Sequence, residues 1–359
     1  MEFLDSRNLD FFNANKLIVY SYPKVSGKNI MGLTRLKTIV LITATLLILA
    51  SIIVNQRANL LIYSMTSGES PELLKPRDEG EEVVWFDDYY TIHKIDERTF
   101  AIGEPRYYQL NFNYLILGDT RAIIFDAGTG QRDIRKVVEN ITDLPITFIP
   151  SHLHYDHIGN EVIFEKTALV DLPHLRKRAT DNKLSLTRFE HLGEVEGYSL
   201  PELKISEWLT PNETIDLGNR RLLVLYTPGH TDDSISLFDQ EADYLFSGDF
   251  LYPGQLYGFL PNSNMGDYLQ GAQTIATVSE NRLRVFGAHR DDSLGVPELS
   301  LKTVTRLQDA LHAIQSGTLK SNGIYPVTYK VNDRVELLSE PKWLQDWDPT
   351  YPELDIDAN

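Results

Sequence analysis

The longest apolar run of the chain lies near its N-terminus. Thr38 to Gln56 are nineteen residues without a charge, and Ile39 to Val54 are almost all apolar. A helix that crosses a bilayer needs about 20 such residues, and a buried core helix usually keeps a polar face, which this run lacks. The pattern predicts one transmembrane helix over residues 38–56. Lys24, Lys28, Arg35 and Lys37 precede it and Arg57 follows. Cationic flanks stay on the cytoplasmic side, so residues 1–37 are expected in the cytoplasm and the chain after residue 57 on the exported, periplasmic or extracellular side. No A-x-A site follows the run, which favours an uncleaved anchor over a secreted form. Met31 opens a conventional charged segment of its own, so Met1 and Met31 both stand as starts.

Residues 64–82 carry Glu69, Glu72, Asp78, Glu79, Glu81 and Glu82 among Ser, Gly and Pro. With little to bury, residues 57–84 read as an acidic linker. From Val83 onward the pattern changes to short apolar runs separated by turn residues. Asn111–Leu117 and Arg121–Phe125 flank Gly118-Asp119 as a hairpin, and Thr214–Leu217 and Arg221–Tyr226 flank Gly218-Asn219 as another. Ser234–Phe238 with Tyr244–Phe246, and Val327–Lys330 with Val335–Leu338, repeat the arrangement. Ile146–Pro150 and Leu283–Phe286 read as further strands. Ile134, Val137, Val138 and Ile141, and later Leu301, Val304, Leu307, Leu311 and Ile314, have helical spacing. Interleaved strands and helices predict mixed sheets covered by helices in one domain over 85–340, with a loose acidic tail over 341–359.

Composition narrows the chemistry. Lys and Arg number 34 against 51 Asp and Glu, a net charge of -17, which repels polyphosphates and argues against a nucleic-acid partner. The chain has no cysteine. Disulfides, thiolate zinc sites and cysteine nucleophiles are thereby excluded. Any metal chemistry must run through histidine and carboxylate.

The densest signal is His152-Leu-His154-Tyr-Asp156-His157, directly after an apolar strand. Imidazole and carboxylate are zinc and iron ligand types. His230 in Thr-Pro-Gly-His, Asp249 in Ser-Gly-Asp and His289 in Gly-Ala-His each follow an apolar strand and a glycine-containing turn. A rigid sheet presents side chains to a shared rim in this way. His93, His174, His191 and His312 have no such context.

In order and local setting, these seven residues resemble the ligand set of the metallo-β-lactamase-fold hydrolases, over residues 85–317. The resemblance implies an α+β fold, the four-layer αββα sandwich, here preceded by the transmembrane helix. It implies two metal ions, Zn²⁺ in the first instance with Fe or Mn open. His152, His154 and His230 would hold one, Asp156, His157 and His289 the other, and Asp249 would bridge them. Asp126, before Ala127-Gly128, matches an aspartate that orients a ligand. Two departures stand out. Asn160 replaces the usual glycine after the His-rich motif, and Asp233 replaces another in Pro-Gly-His-Thr-Asp-Asp-Ser, where an altered loop and an extra negative charge at the rim are expected.

The resemblance implies hydrolysis by a metal-bridging hydroxide, with Asp156 orienting it. Without a cysteine ligand, and with Asp249 in the bridging position, β-lactamase subclasses are disfavoured. The 39 residues between Asp249 and His289 leave no room for the large insert of RNA-processing members. Tyr252, three residues after Asp249, is similar in spacing to a tyrosine of lactonases and of a thioesterase subgroup. That subgroup likewise runs on into Leu-Pro and Asp-Tyr pairs, here Leu260-Pro261 and Asp267-Tyr268. Tyr252 is therefore expected to contact the substrate carbonyl or to wall the site, with Tyr257 and Phe259 lining an acyl groove. Arg176, Lys177 and Arg178 form a basic cluster that either meets an anionic head group or is a solvated helix face. The expected substrate is a small molecule with a carboxylic ester, thioester or lactone bond. A β-lactam or cyclic amide hydrolase, an iron-dependent oxidoreductase and a non-catalytic metal-binding protein are the alternatives.

Overall fold

The computed structural model describes residues 27–81, 83–159, 163–278, 282–291 and 293–351. Expectations that rest on Met1, Lys24, Glu82, Asn160 and the last eight residues of the tail lie outside these. The chain divides into two compact units, Met1–Arg57 and Ala58–Asn359. In the first, α1 (Gly27–Asn55) is a continuous helix. Its stretch Thr34–Asn55 is long and apolar enough to cross a membrane by length and composition. Its side chains there are exposed, with Val54 half-buried.

The second unit takes all of α2 (Arg57–Met65) but its first residue and then builds an open sheet from β1 (Val84–Trp85), β2 (Thr91–Asp96), β3 (Thr99–Gly103), β4 (Phe112–Leu117), β5 (Ala122–Phe125) and β6 (Ile146–Ile149), in that order. Neighbours are antiparallel down to β5. β6 runs parallel to β5 because α3 (Arg135–Ile141) makes the crossover between them. After β6 comes the short α4 (Tyr155–Ile158) and an insert of small elements: β7 (Ala168–Val170), α5 (Pro173–Arg178), β8 (Lys183–Ser185), α6 (Arg188–His191), β9 (Glu202–Lys204) and β10 (Glu207–Leu209).

A second six-stranded sheet follows. Its strands are β11 (Thr214–Asp216), β12 (Arg221–Tyr226), β13 (Ile235–Asp239), β14 (Tyr244–Gly248) and, beyond β15 (Gly254–Gly258) and α7 (Met265–Val278), β16 (Arg284–Gly287) and β17 (Glu298–Ser300). The chain ends in α8 (Leu301–Ser316), β18 (Val327–Lys330) and β19 (Val335–Ser339), and β19 pairs with both β18 and β15.

The period of two along β12 sets the layers. Leu222, Val224 and Tyr226 join the core shared with β2 to β6, to which Val137 and Val138 of α3 also belong. Leu225 faces the other way and packs with Tyr268 and Ile275 of α7 and with Val304 and Leu307 of α8. Two sheets therefore face each other, with α3 against the first and α7 and α8 on the outer side of the second.

Sequence periodicity marked α3, α8 and the four hairpins but passed over α7 and β15. Gly266 and Gly271 lower the helix propensity of α7. Both are required by packing. A Cβ on Gly271 would come within 2.6 Å of Phe250, and one on Gly266 within 2.4 Å of the Trp347 carbonyl.

Two expectations need correcting. Residues 57–84 are not a free linker. Ile62 of α2 is 1% exposed, and Glu79 is buried in an ion pair with Arg290 while also accepting from Arg77. The acidic count concealed that one of those acids has a fixed partner. Nor is the described part of the tail loose. Thr350 donates through its N–H and hydroxyl to Asp267, and Tyr351 stacks on His174.

Candidate metal centre

The seven ligand-type residues meet at one edge of the two sheets. The edge is held by backbone bonds that cross from sheet to sheet: Phe112 N–H to Ala288 O at 2.7 Å and Ile235 N–H to Ser151 O at 2.8 Å. His152 and His154 follow β6, Asp156 and His157 lie on α4, and His230, Asp249 and His289 sit in the turns after β12, β14 and β16. All seven are buried.

Their hydrogen bonds fix which nitrogen faces inward. His230 Nδ1 donates to Tyr257 O at 2.9 Å, His289 Nδ1 to Gln109 O at 3.0 Å, and His157 Nδ1 to Asp126 Oδ2 at 2.9 Å. Carbonyl and carboxylate oxygens only accept, so these rings carry a proton on Nδ1 and, in the neutral form that a metal requires, present a bare Nε2. Ser151 Oγ gives its proton to Asp126 Oδ2 at 3.0 Å. His152 Nδ1, 3.0 Å from the same hydroxyl, must therefore donate and also presents a bare Nε2. Asp126 thus orients two rings, one directly and one through Ser151. It holds a left-handed backbone conformation (φ 65°) that an aspartate adopts at some cost. Gly128, two residues on, has φ 68°, and a Cβ there would lie 1.8 Å from Glu104 Oε1.

The inward atoms fall into overlapping groups, His152/His154/His230, Asp156/His157/His289 and His152/His157/Asp249, with donors within 4.8 Å of one another. His154 Nδ1 lies 2.9 Å from His152 Nε2 and 3.0 Å from His230 Nε2. At most one proton, on His154, is available to three nitrogens. Asp249 stands between the groups: Oδ2 is 3.4 Å from His230 Nε2, and Oδ1 is 3.0 Å from His289 Nε2 and 3.4 Å from His157 Nε2. Asp249 Oδ1 and His157 Nε2 have no hydrogen-bond partner among the described residues. Converging lone pairs without donors are what a cation site requires, and the donor set suits zinc or iron.

For the protein groups alone, burial holds His152, His154 and His230 below the usual histidine value, and neighbouring imidazoles deepen the shift for the first two. Burial also acts downward on His157 and His289, but nearby carboxylates outweigh it and raise both. Burial opposes ionisation of Asp156 and Asp249. The imidazoles beside them prevail and lower both, so the two carboxylates remain charged at neutral pH.

A cavity of about 470 Å³ opens beside the donors, lined by His154, Asp156, His230, Asp249 and His289 together with Tyr252, Tyr257, Arg290 and several apolar side chains. Tyr252 is buried in its wall and donates its hydroxyl to Gln255 O. Phe259, expected to line the groove, does not reach the cavity. It packs between Tyr257 and Tyr325. Leu260 and Pro261 take that place, while Tyr268 donates to Phe250 O at 2.7 Å and braces the turn that carries Asp249.

The basic cluster is neutralised locally. Arg176 pairs with Asp171 and Arg178 with Glu190, away from the cavity lining. Burial, reinforced by Asp232, pushes the Asp233 carboxyl up to about 8, which weakens the extra negative charge expected there.

Sequence reasoning missed Asn111, whose amide donates to the carboxylate of Asp156 at 3.1 Å and to its backbone carbonyl at 3.0 Å. The only signal for it was a polar residue opening an apolar strand. It also missed Ser151 and the whole of α2.

Converging histidine and aspartate donors on a sheet edge, with a cavity beside them, define a metallohydrolase-type centre. The profile of the metallo-beta-lactamase superfamily matches residues 110–289, half of the chain and all seven donors, and the chain belongs to this superfamily. It is 28% identical over 204 residues to an acyl-coenzyme A thioesterase, MBLAC2, of Gallus gallus, covering 49% of this chain and 74% of that one. It is 24% identical over 180 residues to a hydroxyacylglutathione hydrolase of Francisella tularensis subsp. novicida, covering 50% and 62%. A metallo-beta-lactamase family protein of Thermus thermophilus superposes with a TM-score of 0.47 at 17% identity, over 65% of this chain and 86% of that one. The chain is a metal-dependent hydrolase.

Proposed function

We propose that this enzyme is a membrane-anchored, zinc-dependent hydrolase of acyl thioesters or carboxylic esters, lactones included. The observation that carries the reading is the junction of a charged donor cluster with a cavity whose remaining lining is largely apolar. The 28% identical relative named as an acyl-coenzyme A thioesterase supports it. His152, His154 and His230 would hold one ion, Asp156, His157 and His289 a second, with Asp249 between. Bound divalent ions supply Lewis-acid polarisation of the scissile carbonyl and lower the pKa of water.

The protein groups do the rest. Asp156, steered by Asn111, takes the proton of the attacking water on its carboxylate and returns it to the leaving sulfur or oxygen. Asp126 and Ser151 keep the imidazoles of His157 and His152 in the tautomers that turn Nε2 toward the other donors. Tyr252 shapes the wall, its hydroxyl engaged with Gln255 O. α1 anchors the chain, with the second unit on the exported side.

The test uses the full chain in nanodiscs. Metal analysis should give close to two zinc ions per chain, and a value near zero would overturn the metal reading. A panel of acyl thioesters, acyl-homoserine lactones and a chromogenic cephalosporin should show turnover of the first two classes. Turnover of the cephalosporin alone would reverse the substrate assignment. A reporter fused after residue 60 should be active only outside the cytoplasm.

A further inference from the structure

One end of the cavity is built by a segment that precedes the residues matched by the superfamily profile. Leu61, Ile62 and Met65 of α2 line it, at a spacing that puts them on one helical face. Ile62 packs with Tyr155, Leu192 and Val195 in an apolar cluster of its own, apart from the two cores between and outside the sheets. Tyr155 lies between His154 and Asp156 in the chain, so this cluster abuts the donors.

The helix is a fixed wall. The Val195 carbonyl accepts three hydrogen bonds from the turn after α2: Ser67 N–H at 2.8 Å, Ser67 Oγ at 2.8 Å and Gly68 N–H at 3.3 Å. The next residue, Glu196, accepts from the hydroxyls of Tyr107, Tyr108 and Tyr155 at 2.7, 3.0 and 2.8 Å. Leu61, Ile62, Met65, Leu192, Val195 and Leu260 bring no charge, hydroxyl or amide in their side chains to this end. A polar ligand there would lose water with little in return, whereas an aliphatic chain gains with every methylene buried.

We infer that α2 is a specificity element, with Leu61, Ile62 and Met65 forming the subsite for the aliphatic chain of an acyl substrate. The inference rests on the proposed function for the bond that is cut, not for the chain that is held. The same chain can arrive on a soluble thioester or on an acyl lipid in a bilayer, and the assay has an arm for each.

With the full chain in nanodiscs, kcat/KM should rise from acetyl to hexanoyl to decanoyl thioester, by about fourfold per methylene over the first additions. Met65→Gln changes a half-exposed residue (47% exposed), so folding should survive. It should lower the decanoyl-to-acetyl ratio about tenfold, as should Leu61→Asn. Leu60→Ser, at a position outside the cavity lining, should leave that ratio as it is. A flat or short-chain preference in the wild type, or a ratio that neither cavity variant moves, would overturn the inference. Displacement of a fluorescent fatty acid by decanoate gives an independent readout and should weaken in the same two variants. If no acyl bond is cleaved but decanoate binding still depends on Leu61 and Met65, the subsite stands and the proposed substrate bond fails. Cleavage without chain-length dependence has the opposite meaning. Comparing the decanoyl thioester in solution with a decanoyl phospholipid in vesicles identifies the source, and chain-dependent cleavage of either supports the subsite.

Discussion

The two ends of the cavity are made by different rules. At the polar end the orientation of most donors is specified. Four imidazoles present Nε2 because a carbonyl, a carboxylate or a hydroxyl takes the proton on Nδ1, and Asp249 divides its oxygens between two donor groups. At the apolar end only shape and greasiness are specified. Three segments far apart in the chain, α2, the turn at 192–195 and Leu260, supply interchangeable aliphatic side chains. A single change should be costly at the first end and graded at the second.

That contrast is open to attack from both sides. The largest effect is expected at Asp249. Asp249→Ala should lower kcat/KM by about three orders of magnitude and reduce metal content, and retention of both would remove the bridging assignment. Asp126 acts through the rings it orients, so Asp126→Asn should cost about 10- to 100-fold in metal affinity or activity, measured by competition with a chelator. Glu79 tests the border between the ends, because its partner Arg290 lines the cavity beside His289. Glu79→Gln leaves a buried guanidinium short of its counter-charge and should destabilise the second unit by about 3–5 kcal/mol in denaturant melts.

His191 probes the apolar side. Burial pushes its pKa down to about 4, against an unfolded value near 6.5. The unfolded chain therefore binds the extra proton between those values. The contribution, about 3 kcal/mol, is fully present above pH 6.5 and is lost as pH falls toward 4. His191→Gln should flatten that part of the stability profile. The smallest effect is expected at Tyr252. Its hydroxyl is donated to Gln255 O, so Tyr252→Phe should change kcat by less than about threefold, and a drop near a hundredfold would show that the phenol turns to the substrate.

The same contrast explains what could be read in advance. The donor cluster was legible because few residue types can coordinate a metal and those that meet at this edge follow strands, as His152, His230, Asp249 and His289 do. Hairpins were legible because their turns demand Gly, Asn or Asp, as at Gly118-Asp119 and Gly218-Asn219. Asn111, Ser151 and α2 were not, because a positioning hydrogen bond or an aliphatic wall accepts common residues in ordinary contexts. Phe259 was placed in the groove on proximity to the motif. The period of two would put Phe259 on the face of Tyr257, but β15 ends at Gly258, and Phe259 packs against Tyr325 while Tyr257 and Leu260 reach the cavity.

If α1 is the anchor proposed above, the Glu79–Arg290 pair bears on how the second unit could be released from it. The acidic stretch after Met65 has the composition of a region open to proteases, yet Glu79 is fastened to Arg290 in the cavity lining. A cut just before β1 would shed a body with an unpaired buried cation and a cavity missing one wall. A released form with an intact cavity would be cut on the N-terminal side of α2, near Arg57.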